Sequence, residues 1–156
     1  MHITFITLFP EIIQQNLLSD KTIKAIQNNQ ISYDVINLRD YGIGKFKQVD
    51  DIAYGGGDLG MVIKPDVLSN AIDDALNTRC YQHIVYPSPQ GKILDNNFIK
   101  SIRENTIIIC GRFEGIDYRI IEYYHVKQVS VGDFILSGGE IPALLIMDMI
   151  GNQLNN

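Results

Sequence analysis

The sequence predicts a single α/β domain, with a parallel β-sheet covered by helices on both faces. Its length of 156 residues is typical of one domain and allows a full hydrophobic core. Hydrophobic residues make up 46% of the chain and charged residues 20%, values close to those of ordinary globular domains. Short β-branched runs alternate with longer segments of helical period, and this alternation is typical of parallel sheets whose strands are connected by helices.

Five segments have the composition of strands. Two of them, 83–86 and 106–110, show little alternation of polar and apolar residues, so both of their faces are expected to be buried. Burial on both faces favours a parallel sheet inside the domain over an antiparallel sheet with one solvent-exposed face. The predicted strands are 1–8, 31–38, 83–86, 106–110 and 126–131.

Helices are predicted where apolar residues recur every three to four positions after a suitable first residue. Pro65 fits the first turn of the clearest helix, and Asp95 and Asp117 fit N-cap positions. The segment 141–150 is nearly all apolar, which predicts a helix buried in the core or against a partner chain. The predicted helices are 10–27, one from 65, one from 95, a short one near 116–123, and 141–150.

The composition also limits location and partners. No apolar run reaches the roughly 20 residues that cross a bilayer, and the N-terminus lacks a secretion signal, so we expect a cytoplasmic protein without membrane contact. Thirteen basic and 18 acidic residues give a net charge of −5, the wrong sign for binding nucleic acid mainly through phosphates. Arg39, Lys45 and Lys47 are candidates for local phosphate contacts, although a solvated surface is the commoner role of such residues.

The two cysteines predict neither a disulfide nor a metal site. Cys110 ends the apolar run 107–109, where a small buried side chain is expected. Cys80 has no partner motif nearby. Zinc-ligand spacings are absent from the sequence, and we therefore predict no bound structural metal.

Three glycine-containing segments follow predicted strands: 86–91, 111–115 and 132–140. Ligands of open α/β sheets bind beyond the carboxyl ends of the strands, and glycine lets the backbone approach a ligand closely. These segments therefore predict one small-ligand cleft, the alternative being that each is an ordinary turn. The segment 54–60 is a candidate wall of the same cleft. The dinucleotide fingerprint, the phosphate-binding lysine loop and the Gly-x-Ser-x-Gly elbow are all missing from the sequence.

Five motifs carry a resemblance to a known family. They are Leu8-Phe9-Pro10-Glu11, Tyr54-Gly55-Gly56-Gly57, Ser88-Pro89-Gln90-Gly91, the segment Cys110-Gly111-Arg112-Phe113-Glu114-Gly115-Ile116-Asp117, and the segment Gly132-Asp133-Phe134-Ile135-Leu136-Ser137-Gly138-Gly139-Glu140. In this order they resemble the bacterial tRNA (guanine-N1) methyltransferases of the SPOUT superfamily. The resemblance implies a SPOUT-type parallel sheet with a deep trefoil knot in the C-terminal half, a topology that periodicity does not predict.

The same resemblance implies an S-adenosylmethionine-dependent enzyme. It would methylate N1 of the guanosine on the 3′ side of the anticodon of tRNA, as a homodimer with each site at the subunit interface. The cofactor would be held largely by backbone groups. The positions implied for it are Tyr86, Pro87, Ser88, Pro89, Gly111, Phe113, Glu114, Gly115, Val131, Gly132, Asp133, Phe134, Ile135, Leu136, Gly138 and Gly139.

Glu114 is the carboxylate that the resemblance places closest to the transferred methyl group. Two roles stay open for it: fixing its own loop through backbone N–H groups, or positioning substrate or Mg²⁺. The family's general base is an aspartate that would lie beyond Asn156, in a linker to a small C-terminal domain that binds tRNA. Residues 1–156 are therefore expected to form the cofactor-binding domain without that second domain.

Three departures from the family pattern concern loop geometry and charge. Asp58-Leu59 lengthens the glycine loop, Pro87 removes a backbone donor, and Asn152 stands where the family usually has an arginine. An inactive cofactor-binding module and a related knotted ribose 2′-O-methyltransferase remain alternative functions. Tyr118, Tyr123 and Tyr124 are expected to pack in the core or at the dimer interface rather than to stack on bases.

Overall fold

A parallel sheet forms the centre of the molecule. The computed structural model describes residues 1–16, 19–52, 61–112 and 115–155. Its strands are β1 (His2–Thr7), β2 (Ser32–Asn37), β3 (Asp50–Ile52), β4 (Met61–Ile63), β5 (His83–Ile93), β6 (Thr106–Ile109) and β7 (Lys127–Ser130). Five of them form one sheet in the order β2-β1-β6-β5-β7, with every neighbouring pair parallel. The predicted parallel sheet is thereby confirmed.

Helices cover both faces of this sheet. They are α1 (Pro10–Asn16), α2 (Asp20–Gln27), α3 (Pro65–Thr78), α4 (Asn96–Lys100), α5 (Tyr118–Tyr123) and α6 (Glu140–Leu154), with a short 3₁₀ turn at Leu38–Tyr41. Alternate residues of the central strands point to opposite sides, because the side-chain period of a strand is two. Phe5 and Ile108 pack with residues of α1, α2, α4 and α6, whereas Ile6 and Ile107 pack with α3 and α5.

The predicted helix 10–27 is wrong as a single element. The chain forms α1 and α2 instead, and Ser19 is the N-cap of α2. Ser19 has an extended backbone, and its hydroxyl accepts a hydrogen bond from the Thr22 N–H at 3.3 Å. A serine in this position satisfies a free N–H at the start of a helix, so it begins a new helix rather than continuing the first.

The strand predicted at 83–86 extends further, and the loop predicted at 86–91 lies within it. Pro87 and Lys92 of β5 both align with Val129 of β7, so the residues between them bulge out of the ladder. Pro87 fits this place because it has no N–H to donate to a neighbouring strand. The segment predicted as a loop is therefore a bulge within β5.

Several boundaries differ from the prediction. Helix α6 continues to Leu154, four residues past the predicted end, because Gln153 in its last turn contacts the Asn96 carbonyl at 3.1 Å and Arg103 at 2.9 Å. The antiparallel ribbon of β3 and β4 was not predicted.

The glycine-rich segment 54–60, expected as a wall of the cleft, lies outside the described residues. In the described part of the chain, no helix is long and apolar enough to cross a membrane.

The two cysteines provide a test of the core. Cys110 is buried and Cys80 is exposed. Burial raises the pKa of the Cys110 thiol, with a further contribution from the nearby Glu140 carboxylate, so little reactive thiolate forms there. We expect iodoacetamide at mildly alkaline pH to alkylate Cys80 alone in the folded protein and both thiols in urea, as measured by peptide mass spectrometry. Similar labelling of both thiols in the folded protein would contradict the assigned core.

Candidate ligand-binding site

A cleft of about 480 Å³ opens at the bulge of β5 and at the carboxyl ends of β6 and β7. This volume lies within the range of roughly 300–1,000 Å³ that is typical of small-ligand sites. The three segments predicted to form one cleft do lie together around it. The predicted residues that line it are Tyr86, Pro87, Ser88, Pro89, Gly111, Gly115, Val131, Gly132, Phe134, Ile135, Leu136, Gly138 and Gly139.

The remaining predicted residues fall elsewhere. Asp133 is exposed and does not line the cleft, and its predicted cofactor contact stays a prediction. Phe113 and Glu114 lie outside the described residues. Asn156, beyond which the family's general base is expected, also lies outside them, so the position of that base stays a prediction.

The structure also adds lining residues that the sequence argument did not select. Four of them lie inside the family-like motifs, which could have indicated them: Gln90, Arg112, Ile116 and Ser137. The others reach the cleft only through the packing of the strands and helices around it. The added residues are Gln90, Arg112, Ile116, Tyr118, Ile121, Gln128, Ser130, Ser137 and Pro142.

Glycines allow two walls of the cleft to meet closely. The N–H of Gly139 donates to the carbonyl of Gly111 at 2.8 Å, and Arg112 pairs with Gly138 in an isolated antiparallel bridge. A Cβ atom at Gly111 would lie 2.6 Å from the ring of Tyr86, so a larger residue would displace that ring. Gly132 has a φ of 153°, which side chains rarely adopt. Backbone rather than side chains therefore forms much of this surface.

A buried carboxylate connects three elements next to the cleft. One oxygen of Glu140 accepts a hydrogen bond from the Thr7 hydroxyl at 2.8 Å, and the other lies 3.0 Å from an Nη atom of Arg112. The side chain of Glu140 is 2% exposed and that of Arg112 is 18% exposed. The second Nη of Arg112 donates to the Ser137 carbonyl at 3.2 Å. The pair thus joins β1, the segment after β6, and the start of α6.

The cleft carries little net charge. Among the described lining residues only Arg112 is charged, and Glu140 balances it. Burial raises the pKa of the Tyr86 phenol, which keeps this residue neutral. The rest of the described lining consists of apolar side chains, hydroxyls, amides and backbone. Such a site suits a ligand that is held by backbone contacts and shape, and the described residues offer no cluster of cations for a triphosphate.

The tyrosines only partly follow the prediction. Tyr124 is half-buried and its hydroxyl donates to the Asp73 carboxylate at 2.7 Å, which together with burial raises its phenol pKa. Tyr118 and Tyr123 are 64% and 77% exposed, so core packing is wrong for these two. Their predicted packing at a dimer interface is untested. The predicted N-cap role of Asp117 is confirmed, because its carboxylate accepts the Arg119 N–H at 2.9 Å.

The pairing of Glu140 with Arg112 predicts a measurable coupling. We expect a double-mutant cycle of Glu140→Gln and Arg112→Met to give a coupling free energy of about 1–3 kcal/mol, because each single change leaves a polar group of a buried pair without its partner. Urea unfolding followed by circular dichroism measures it. The more exposed pair Asp117 and Arg119, 2.8 Å apart with side chains 24% and 75% exposed, is the control, with about 0.2–1 kcal/mol expected. Equal coupling free energies in the two cycles would show that the Glu140–Arg112 pair stabilises the fold no more than the control pair does.

Comparisons with known proteins agree with this geometry. The family model described as tRNA (Guanine-1)-methyltransferase TrmD matches residues 1–155. A tRNA (guanine-N(1)-)-methyltransferase from Rickettsia akari is 50% identical over 152 residues, which are 96% of this chain and 64% of the relative. A protein of the same name from Rickettsia bellii is 42% identical over 194 residues, covering 96% of this chain and 68% of the relative.

A solved structure shows the same fold. The crystal structure of tRNA (m1G37) methyltransferase from Aquifex aeolicus superposes with a TM-score of 0.86 at 34% identity, covering 97% of this chain and 69% of that one. The chain spans about 64% of the length of the first Rickettsia relatives. Because the family model matches almost the whole chain, the chain belongs to the tRNA (guanine-1)-methyltransferase TrmD family.

Proposed function

We propose that this chain binds S-adenosylmethionine and serves the methylation of guanine N1 in tRNA, at position 37 on the 3′ side of the anticodon. The observation that carries the proposal is the cleft in which the three strand-end segments meet. Membership of the family supports the same reaction, since the named relatives are tRNA guanine-N1 methyltransferases. The cytoplasm is the proposed location, where such a tRNA substrate occurs.

The residues of the cleft fit the proposed cofactor. The close approach of Gly111 to Tyr86 and of Gly139 to Gly111 leaves room for a ligand only while both positions lack a side chain. Tyr86, Ser88 and the segment 131–139 would hold an adenosine and an amino-acid group through backbone contacts and apolar packing. A neutral cleft is also compatible with a sulfonium cation, which would be repelled by an excess of positive charge.

The bound cofactor would supply an electrophilic methyl group. Guanine N1 carries a proton in the neutral base, so transfer requires a positioned general base. We propose that Glu114 positions substrate or Mg²⁺, and that the base is an aspartate outside residues 1–156. Within the described chain, Arg112 is held at the cleft by Glu140 and can stabilise negative charge developing on a nearby oxygen. Asn152, in the place of the family's arginine, accepts a hydrogen bond from Lys21 at 2.7 Å.

We also propose the knotted topology and a homodimer. The direct pairing of the segments around Gly111 and Gly138 supports a trefoil knot in the C-terminal half. Ile141 and Leu145 are 59% and 43% exposed on α6, whose other residues are mostly apolar and buried. A second copy would cover this surface and complete each site.

The cofactor proposal predicts selective binding. We expect S-adenosylmethionine to bind measurably in isothermal titration calorimetry, with NAD and ATP far weaker, because the sequence lacks a phosphate-binding loop. Gly111→Val and Gly132→Val should abolish binding, since the first fills the close approach to Tyr86 and the second strains a φ of 153°. Lys100→Val, an exposed position in α4, is the control and should bind normally. Equal affinity for ATP would refute the proposed ligand, and normal binding by both glycine variants would place the site elsewhere.

The assembly proposal predicts a dimer in sedimentation velocity. Leu145→Glu should shift the species to a monomer and weaken cofactor binding, because a carboxylate would be buried in an apolar interface. The exposed Leu76→Glu in α3 is a matched control that should stay dimeric. A wild-type monomer that still binds S-adenosylmethionine would contradict the proposed interface.

The last proposal concerns catalysis by residues 1–156 alone. Such a polypeptide, ending at Asn156, should bind the methyl donor but transfer little methyl to tRNA, since loss of a general base typically costs a factor of about 10² to 10⁴ in rate. A radiolabelled methyl-transfer assay would compare it with a chimera that adds the C-terminal part of the Rickettsia akari relative. Near-equal turnover would show that the base lies within residues 1–156.

A further inference from the structure

Basic and aromatic side chains continue along the sheet edge beyond the cleft. The cleft lies at the bulge of β5 and the carboxyl ends of β6 and β7, and the next strands across the sheet after β6 are β1 and then β2. Phe9 follows the carboxyl end of β1, and Arg39 follows that of β2. The carboxyl ends of parallel strands meet at the same edge, so both residues lie on the side where the cleft opens.

Phe9 connects the cleft to Arg39. The guanidinium carbon of Arg112 lies 4.3 Å from the centre of the Phe9 ring, and that of Arg39 lies 5.4 Å from it. Both distances are within the range of cation–π contacts. Arg39 also donates to the Leu8 carbonyl at 3.3 Å, while its side chain remains exposed. A row of a cation, an aromatic ring and a second cation therefore leads outward from the cleft.

A short hairpin extends this row. It comes directly after the 3₁₀ turn that contains Arg39, and Ile43 and Gln48 close it with two backbone hydrogen bonds of 2.9 Å. At its tip Phe46 is 89% exposed between the exposed Lys45 and Lys47. The backbone of Lys47 has a φ of 47°, which is uncommon for a residue other than glycine. The hairpin thus holds a phenylalanine ring in solvent, where it contributes no packing to the core.

The charge of this segment is opposite to that of the whole chain. Residues 39–48 contain three basic side chains and one acidic one, Asp40, whereas the whole chain has a net charge of −5. An exposed aromatic ring between two lysines is suited to an unpaired base, because every base offers a face for stacking while the lysines neutralise neighbouring phosphates. An acidic protein surface would use the lysines but not the ring.

We propose that this edge surface, formed by Phe9, Arg39 and the hairpin 43–48, binds the single-stranded part of the RNA that flanks the target guanosine. The inference rests on the proposed function, because it takes the cleft as the place where the target base is methylated. Arg112 marks the boundary between the cleft and the edge surface. Phe46 stacks on an unpaired base, and Lys45, Lys47 and Arg39 contact the phosphates around it.

The test is RNA binding by the 156-residue chain. A labelled anticodon stem–loop with guanosine 3′ of the anticodon is titrated at low ionic strength in the presence of S-adenosylmethionine, and fluorescence anisotropy reports the affinity. We expect Lys45→Glu with Lys47→Glu to weaken binding at least about tenfold and to reduce the salt slope by about 1.4, or about 0.7 for each lost phosphate contact. Phe46→Ala should weaken binding at least about fivefold, the lower end for one lost stack, with the slope unchanged.

The matched control is Lys24→Glu with Lys100→Glu, two exposed lysines in α2 and α4, the helices that lead toward the amino ends of β2 and β6. It makes the same change in charge and should stay within about twofold of the wild type, because it removes no phosphate contact. An equal loss in both double variants, normal binding by the hairpin variants, or no RNA binding by the wild type would overturn the inference. Two results together would indicate a general anion-binding surface instead. Phe46→Ala would bind the RNA with normal affinity, and the double lysine variant would lose as much affinity for polyglutamate as for the RNA.

Calorimetry with S-adenosylmethionine separates the two proposals. The hairpin variants should bind it as the wild type does, since their residues do not line the cleft. Absence of cofactor binding by the wild type contradicts the proposed function, whereas normal cofactor binding with unchanged RNA affinity of the variants contradicts only the edge surface.

Discussion

The cleft depends on the buried carboxylate of Glu140. Moving a carboxylate out of water costs several kcal/mol unless it is compensated by a partner charge or hydrogen bonds. Thr7 donates a hydrogen bond to Glu140, and Arg112 supplies the opposite charge of an ion pair. Glu140 is also the first residue of α6, where the N–H groups and the helix dipole favour a negative charge. Because its partners lie on β1 and after β6, the pairing holds the start of α6 against the sheet. That position in turn brings Gly139 within hydrogen-bond distance of Gly111 and closes one end of the cleft.

Neutral and basic surfaces lie side by side on the same edge of the sheet. Glu140 neutralises Arg112 at the cleft, whereas Arg39, Lys45 and Lys47 are exposed and have few acidic neighbours in their own segment. This arrangement suits a reaction between a cofactor that carries a positive charge and a polyanionic substrate. The overall charge of −5 does not conflict with such a substrate, because attraction to phosphates is local and falls off within a Debye length of about 10 Å.

Much of the fold follows from local sequence, whereas the contacts that close the site do not. The strand at 106–109 is predictable because its β-branched residues form an unbroken run, and Asp95 and Asp117 mark helix starts by their side chains. The split at Ser19 was missed because the apolar period continues across it. The return of β5 to the ladder at Lys92 depends on β7, and the pairing of Arg112 with Glu140 depends on two distant segments. Neither leaves a periodic signal. The cofactor positions came from the family motifs, since glycine-rich turns alone do not specify a ligand.

The central claim is that the strand-end segments around this cleft bind the methyl donor. Amide hydrogen exchange, measured by mass spectrometry with and without S-adenosylmethionine, tests it most directly. We expect slower exchange in 86–91 and 131–139, which contribute most of the cleft lining, and unchanged exchange in α2 and α4, none of whose residues line the cleft. Protection confined to other segments, or no protection at a cofactor concentration that saturates binding, would contradict it.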